Sequence, residues 1–145
     1  MRTAFWVGLA LSVLLSGCAP AATDASSEPA VYAAPFNEVF NASLEIIAAD
    51  PAVPAYSPGG VNNYRRGPST PWLVRVSDRE AGLIVAEARS RAAGFVGSSA
   101  PPDVHTVNVR LERLGERTRV SARGTPYTKR FLGRLAAALA ERFAQ

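Results

Sequence analysis

The sequence predicts an α+β domain, a two-layer sandwich built in the order helix, four-stranded and mostly antiparallel sheet, helix. Three observations carry that expectation. Apolar residues recur at three- to four-residue spacing near Phe36 and again after Phe131, the mark of helices with one buried stripe. Between them lie four runs with apolar residues at every second position, the mark of half-buried strands. The connections between several of these runs are short enough for hairpins, which favours antiparallel neighbours.

The first helix is expected over Pro35–Ala49. Pro35 suits a first helical turn, where its missing N–H is no loss. Phe36, Val39, Phe40, Leu44 and Ile47 make one apolar face, and Asp50-Pro51 stops the helix. Residues 50–71 then read as a long loop with five prolines and three glycines, well above the ~12–15 residues usual in compact domains. A short strand around Val53–Tyr56 is compatible with its residues.

Trp72–Ser77 is the first main strand, with Trp72, Val74 and Val76 on one face. The stretch from Asp78 to Gly82 turns it into Leu83–Arg91, where Ile84, Ala86 and Ala88 share a face. A Gly/Ser/Pro connection leads to Val104–Leu114, with Val107, Val109 and Leu111 inward. Leu114-Gly115-Glu116 turns into Thr118–Arg123, with Val120 and Ala122 inward. Pro126 is expected to open the last helix, capped by Thr125, with Phe131, Leu135, Leu139 and Phe143 along its apolar stripe. A sheet with one polar face needs cover on the other face alone, and two helices supply it.

The chain has 145 residues, with 16 Lys+Arg against 12 Asp+Glu, one His and one Cys. That length leaves no room for two ordinary domains. A single Cys excludes a disulfide framework and a Cys-based zinc site, and a single His excludes chemistry that needs two.

Residues 1–17 read as a signal peptide. Arg2 supplies a short basic region, and residues 4–15 are an almost unbroken apolar run. Twelve residues make about 18 Å of helix, short of the ~30 Å core of a bilayer. Leu15-Ser16-Gly17-Cys18 follows and resembles the lipobox of bacterial lipoproteins. The resemblance implies cleavage before Cys18, a diacylglycerol thioether and an N-acyl group on that residue, and no other cofactor. Ala19 stands where Asp is the usual inner-membrane retention signal of enterobacterial lipoproteins, so the resemblance implies an outer-membrane protein facing the periplasm. Residues 18–34, rich in Ala, Ser and Pro, are expected to be a flexible tether to a domain at 35–145.

The domain itself is similar to small α+β domains of uncharacterised bacterial lipoproteins, and more loosely to the helix-grip-like domains of BamC-type outer-membrane assembly lipoproteins. Phe36 to Phe40, Trp72 to Val76, and the turn from Ser77 to Ile84 with its Asp-x-x-x-Gly spacing carry that resemblance. It brings no catalytic residues with it, and the long insertion before Trp72 departs from it.

Charge is unevenly distributed. From Cys18 to Tyr64 there are five acids and no bases; from Arg65 to Gln145 there are fifteen bases, fourteen of them Arg, and seven acids. The strand parity places Arg75, Arg89, Arg91, Arg110, Arg119 and Arg123 on the sheet face opposite the helices, with Glu87 and Glu112 as its acids. Guanidinium forks suit phosphate and carboxylate groups, so this face is a candidate for an anionic envelope component or an acidic partner. The competing explanation is a solvated face with cross-strand Arg–Glu pairs. Arg65 and Arg66, beside Tyr64 in the long loop, are a second anion-binding candidate. His105 lacks a second histidine to work with. Asp78 and Glu80 suit turn formation better than acid/base catalysis. Ser98-Ser99 has no nucleophile-elbow context, and Asn41-Ala42-Ser43 is a glycosylation sequon by pattern alone.

These features lead to one expectation with two alternatives. The expected protein is a non-enzymatic, lipid-anchored binding or accessory module of a bacterial envelope. It would be held to the membrane through its lipid and directed to an envelope protein or anionic component, with no nucleic-acid role. The alternatives are an accessory lipoprotein of an envelope transport or outer-membrane assembly complex, and an enzyme with a site in the 50–71 loop.

Overall fold

The computed structural model describes residues 24–52, 55–56, 65–66, 68–90 and 103–143; the pairs at 55–56 and 65–66 are described by backbone alone. The alternating runs form β5 (Leu73–Asp78), β6 (Leu83–Arg89), β7 (Val104–Leu114) and β8 (Arg117–Gly124), joined antiparallel in that order. Helix α1 (Phe36–Ala49) and helix α2 (Lys129–Phe143) cover one face. The layers are those the sequence predicts, but the sheet has six strands where four are expected.

The extra two are β1 (Ala25–Ser26) and β2 (Ala30–Tyr32), both antiparallel to β8. They lie in the segment expected to be tether. Their backbone groups satisfy the outer edge of β8, where Ala25 opposes Gly124 and Val31 opposes Arg119. Ser27 strengthens the attachment, since its hydroxyl accepts from the Ala122 N–H at 3.1 Å. Tyr32 is buried, and its ring lies 6.0 Å from that of Phe143. Burial raises the Tyr32 pKa. Two- and three-residue strands carry too few side chains for a period to show, so composition alone reads them as linker. The domain therefore includes strands that precede Pro35, from Ala25 onward.

Inward side chains from β6, β7 and β8 meet both helices. Ile84, Val107 and Val109 are fully buried, as are Val39 and Ile47 of α1, while Phe131 and Leu139 of α2 are almost so. Each large apolar side chain buried this way contributes about 1.5–3 kcal/mol. Trp72 packs on Phe131 with ring centroids 4.3 Å apart.

Strand β5 departs from the expected parity. Val74 opposes Ala86 but Val76 opposes Val85, so a β-bulge falls at Arg75. The extra residue turns Val76 out of the core and leaves it 42% exposed, where alternation places it inward. The turn into β6 uses Gly82 at φ +63°, and a Cβ there would run into the Leu111 carbonyl, so glycine is required. Asp78 closes the same turn by accepting the Ala81 N–H at 2.9 Å.

Helix α2 also starts later than expected. Tyr127 has φ +75°, which interrupts any helix begun at Pro126. Thr128 takes the boundary role instead of Thr125. Its carbonyl accepts the Leu132 N–H at 3.0 Å, and its hydroxyl donates to the Thr125 carbonyl at 2.8 Å. Residues 55–56 (β3) and 65–66 (β4) form a small antiparallel ladder inside the long loop.

One buried carboxylate joins the two helices and the sheet. Asp50, at the end of α1, has a side chain only 4% exposed. Its oxygens accept from Arg134 of α2 at 2.7 and 2.8 Å, from the Ala52 N–H at 2.8 Å, and from the Trp72 indole N–H at 3.3 Å. Burial alone would raise its pKa. The Arg134 hydrogen bonds, the Ala52 and Trp72 donors and the Arg134 charge outweigh that and hold it below the usual carboxylate value. Removing the cation should leave an uncompensated buried charge. Arg134→Ala should therefore cost about 2–4 kcal/mol in urea unfolding at neutral pH. Without the Arg134 bonds and charge the Asp50 pKa should rise. The penalty should shrink as the pH falls toward the carboxylate range; a penalty independent of pH would contradict the assignment.

His105 gives a second pH dependence. It lies on the inner face of β7 and is 3% exposed. One ring nitrogen donates to the Pro126 carbonyl, while Nε2 is buried without a partner. Burial lowers its pKa, against the opposing pull of the Asp103 charge and the Pro126 bond. The folded state thus keeps His105 neutral at pH values where the unfolded chain binds a proton. The associated stability is complete above the unfolded pKa of ~6.5 and falls as the pH drops below it, by at most about 1.4 kcal/mol per unit. His105→Phe should flatten the pH dependence of the urea midpoint between pH 6.5 and 5, above the carboxylate range. An unchanged slope would assign it elsewhere.

Candidate functional site: the outer sheet face

Because both helices pack on one side, the outward side chains of β6, β7 and β8 face solvent. Parity along β8 puts Arg119 and Arg123 there, as expected, together with Arg117. Arg110 lies on β7 between Leu83 and Ser121, and Arg89 ends β6 opposite Val104. Arg75 also reaches this face through the bulge. It donates to the Glu87 carboxylate at 2.8 Å. Arg119 does the same with Glu112 at 3.1 Å.

These two pairs are exposed, and each contributes about 0.2–1 kcal/mol. They consume both glutamates of the face. Among the described residues, no ion pair reaches Arg89, Arg110, Arg117 or Arg123. The solvated-pair explanation therefore accounts for Arg75 and Arg119 and leaves four guanidiniums on the face without a carboxylate. Only the backbone of Arg89 is engaged. Its N–H donates to the Thr70 hydroxyl at 2.8 Å, and its carbonyl accepts from Ser69 and Thr70. These bonds fix the strand end and leave the side chain exposed.

The face is not uniformly polar. Val31, Leu73, Val76 and Val104 are large exposed apolar residues, and the register places all four among the outward side chains. Leu83 and Val85 lie half-buried between them on β6. Arginine and aliphatic carbon thus share one continuous surface.

The other sequence candidates fall elsewhere. Cys18 and Arg91 lie outside the described residues, as does Ser98-Ser99. Arg65 and Arg66 form β4 opposite Tyr56 and Ala55, and their side chains lie outside the description. His105 is on the core side of the sheet, remote from the arginines. Asp78 serves the turn, as expected, through Ala81. Asn41 accepts from Arg79 at 2.7 Å, and the Ser43 hydroxyl is buried against the Val39 carbonyl. Asp50, the acid at the start of the long loop, is fully committed to Arg134, Trp72 and Ala52.

Two further arginines cover an aromatic pair at one end of the sandwich. Arg113 stands 3.7 Å over the Phe36 ring and Arg79 stands 5.2 Å over Phe40. A gap of about 10 Å³ lies between β2, β8 and α2, lined by Tyr32, Val120, Leu135 and Leu139 among others. That is room for one water. Among the described residues, no group of three His, Cys, Asp or Glu is placed to hold a metal ion, and no helix is long and apolar enough to cross a membrane.

Sequence reasoning missed Arg117 because the residue falls between the Leu114-Gly115-Glu116 turn and the strand expected at Thr118–Arg123, whereas β8 begins at Arg117. It missed the exposed Val76 because a bulge reverses strand parity without leaving a mark in the residue types.

No family model matches the chain, and no curated protein does. Among solved structures, CalU16 from Micromonospora echinospora is similar at 14% sequence identity and a TM-score of 0.38, over 80% of this chain and 83% of that one.

Proposed function

We propose that the chain is an exported lipoprotein anchored through Cys18, whose α+β domain is a non-enzymatic module binding an anionic component of the cell envelope. One observation carries the binding surface: Arg89, Arg110, Arg117 and Arg123 share an exposed sheet face whose two glutamates are already paired with other arginines. Guanidiniums in that state have unsatisfied capacity for phosphate or carboxylate, and clustering raises the local anion concentration. The anchor rests on residues 1–18: the short apolar run and the Leu15-Ser16-Gly17-Cys18 resemblance, with Ala19 favouring the periplasmic side of an outer membrane.

An accessory role in an envelope transport or assembly complex is the second reading. It is favoured by β5, which ends the sheet with an edge unpaired among the described residues and so offers backbone groups to an added strand.

Two substitutions separate the parts of the proposal. Cys18→Ser should abolish incorporation of labelled palmitate and release the protein from membranes. Arg89→Glu, Arg110→Glu and Arg123→Glu together should preserve the far-UV spectrum and urea midpoint while sharply reducing retention on anionic envelope extracts. Retention equal to that of the unsubstituted chain would assign these arginines to solvent. Persistent palmitate incorporation in the Cys18→Ser chain would overturn the anchor.

A further inference from the structure

We infer that the anionic component is a phospholipid leaflet, and that the outer sheet face lies against the membrane into which the chain's own anchor is inserted. The inference rests on the function proposed above and names its partner. Four of the five large apolar side chains exposed in the described residues lie on this face: Val31, Leu73, Val76 and Val104, with only Tyr127 elsewhere. Val104 opposes Arg89 and the half-buried Leu83 opposes Arg110, both without a carboxylate partner, while Val31 opposes the paired Arg119. A soluble acidic polymer would satisfy the guanidiniums and leave the aliphatic carbon in water. A leaflet surface satisfies both, because headgroup phosphates meet arginine while aliphatic side chains settle at the boundary of the acyl chains.

The chain path agrees with this placement. Cys18 precedes Ala25 by seven positions, and Ala25 opposes Gly124 on β8, next to Arg123. Seven residues reach at most about 25 Å. An anchor at Cys18 therefore enters the bilayer within that distance of the arginine-bearing edge. Each arginine near an anionic surface strengthens association by about fivefold, and the effect decays within a Debye length. Asp78 is the one further acid on the face; it sits at the end of β5 and is held by the Ala81 N–H.

The test uses the full lipidated chain in vesicles of phosphatidylglycerol or phosphatidylcholine with brominated acyl chains. Val76→Trp reports on the sheet face and Ala137→Trp, on the exposed side of α2, is the control; buried Trp72 is a constant background. Docking should quench the Val76→Trp signal roughly twofold in phosphatidylglycerol, since interfacial side chains sit ~5–10 Å into the acyl boundary. Neither the control nor the phosphatidylcholine sample should be quenched. Quenching should disappear in ~1 M salt and in the Arg89→Glu, Arg110→Glu, Arg123→Glu background. Equal brightness in both lipids, from protein that floats with the vesicles, would overturn the docking and leave the anchor intact. Failure to float with phosphatidylcholine would overturn the anchor instead. Docking is then read on the same chain with Cys18 coupled to a maleimide phospholipid, where quenching in phosphatidylglycerol supports it and its absence overturns it.

Discussion

The Asp50 carboxylate is the interaction on which the layer arrangement depends. It sits where α1 ends, accepts from the indole at the start of β5, and binds both arms of Arg134 on α2. Three elements distant in sequence are held by one pair of oxygens. A buried charge of this kind is costly unless every lone pair is matched, and here four donors match it. The geometry fixes both helices on the same side of the sheet. Trp72 packing on Phe131 then closes the core at that point. Among the described residues no helix packs on the opposite face, and its side chains determine what the protein meets.

The two faces of the sheet consequently have different chemistry. The inner face is mostly Ile, Val, Leu and Ala, closed by two helices, with buried Thr118 and His105 as polar members; burial lowers the His105 pKa. The outer face mixes arginine with exposed valine and leucine. The sheet edges are also managed differently. β1 and β2 cap the edge of β8 with backbone pairing, while β5 carries a bulge at Arg75 that twists its ladder. The bulge also moves Val76 into the outer patch, so one irregular residue shapes both the edge and the face.

Much of the fold was legible in the sequence. The helical stripe from Phe36 to Ile47 and the alternation from Val104 to Leu114 are long and regular, and the predicted β7 agrees with the observed strand at both ends. What escaped reading had little periodic information to offer. Strands β1 and β2 are held by backbone bonds to β8 and by Tyr32, in a segment whose composition resembles a linker. Tyr127 takes a left-handed conformation that a tyrosine does not advertise, which displaced the start of α2. Of the candidate site, parity correctly gathered Arg89, Arg110, Arg119 and Arg123, but could not tell which arginines glutamates would claim. Pairing is a matter of register, and register appears only when the strands are aligned.

The central claim is that the outer sheet face is covered in the cell envelope. Arginine labelling with phenylglyoxal, read residue by residue by mass spectrometry, tests it most directly. Arg110 and Arg123 should be protected in intact envelopes and react after the protein is extracted and freed of lipid, while Arg130 on the exposed side of α2 should react alike in both states. Equal labelling of Arg110 and Arg123 in envelopes and in the isolated protein would contradict the claim.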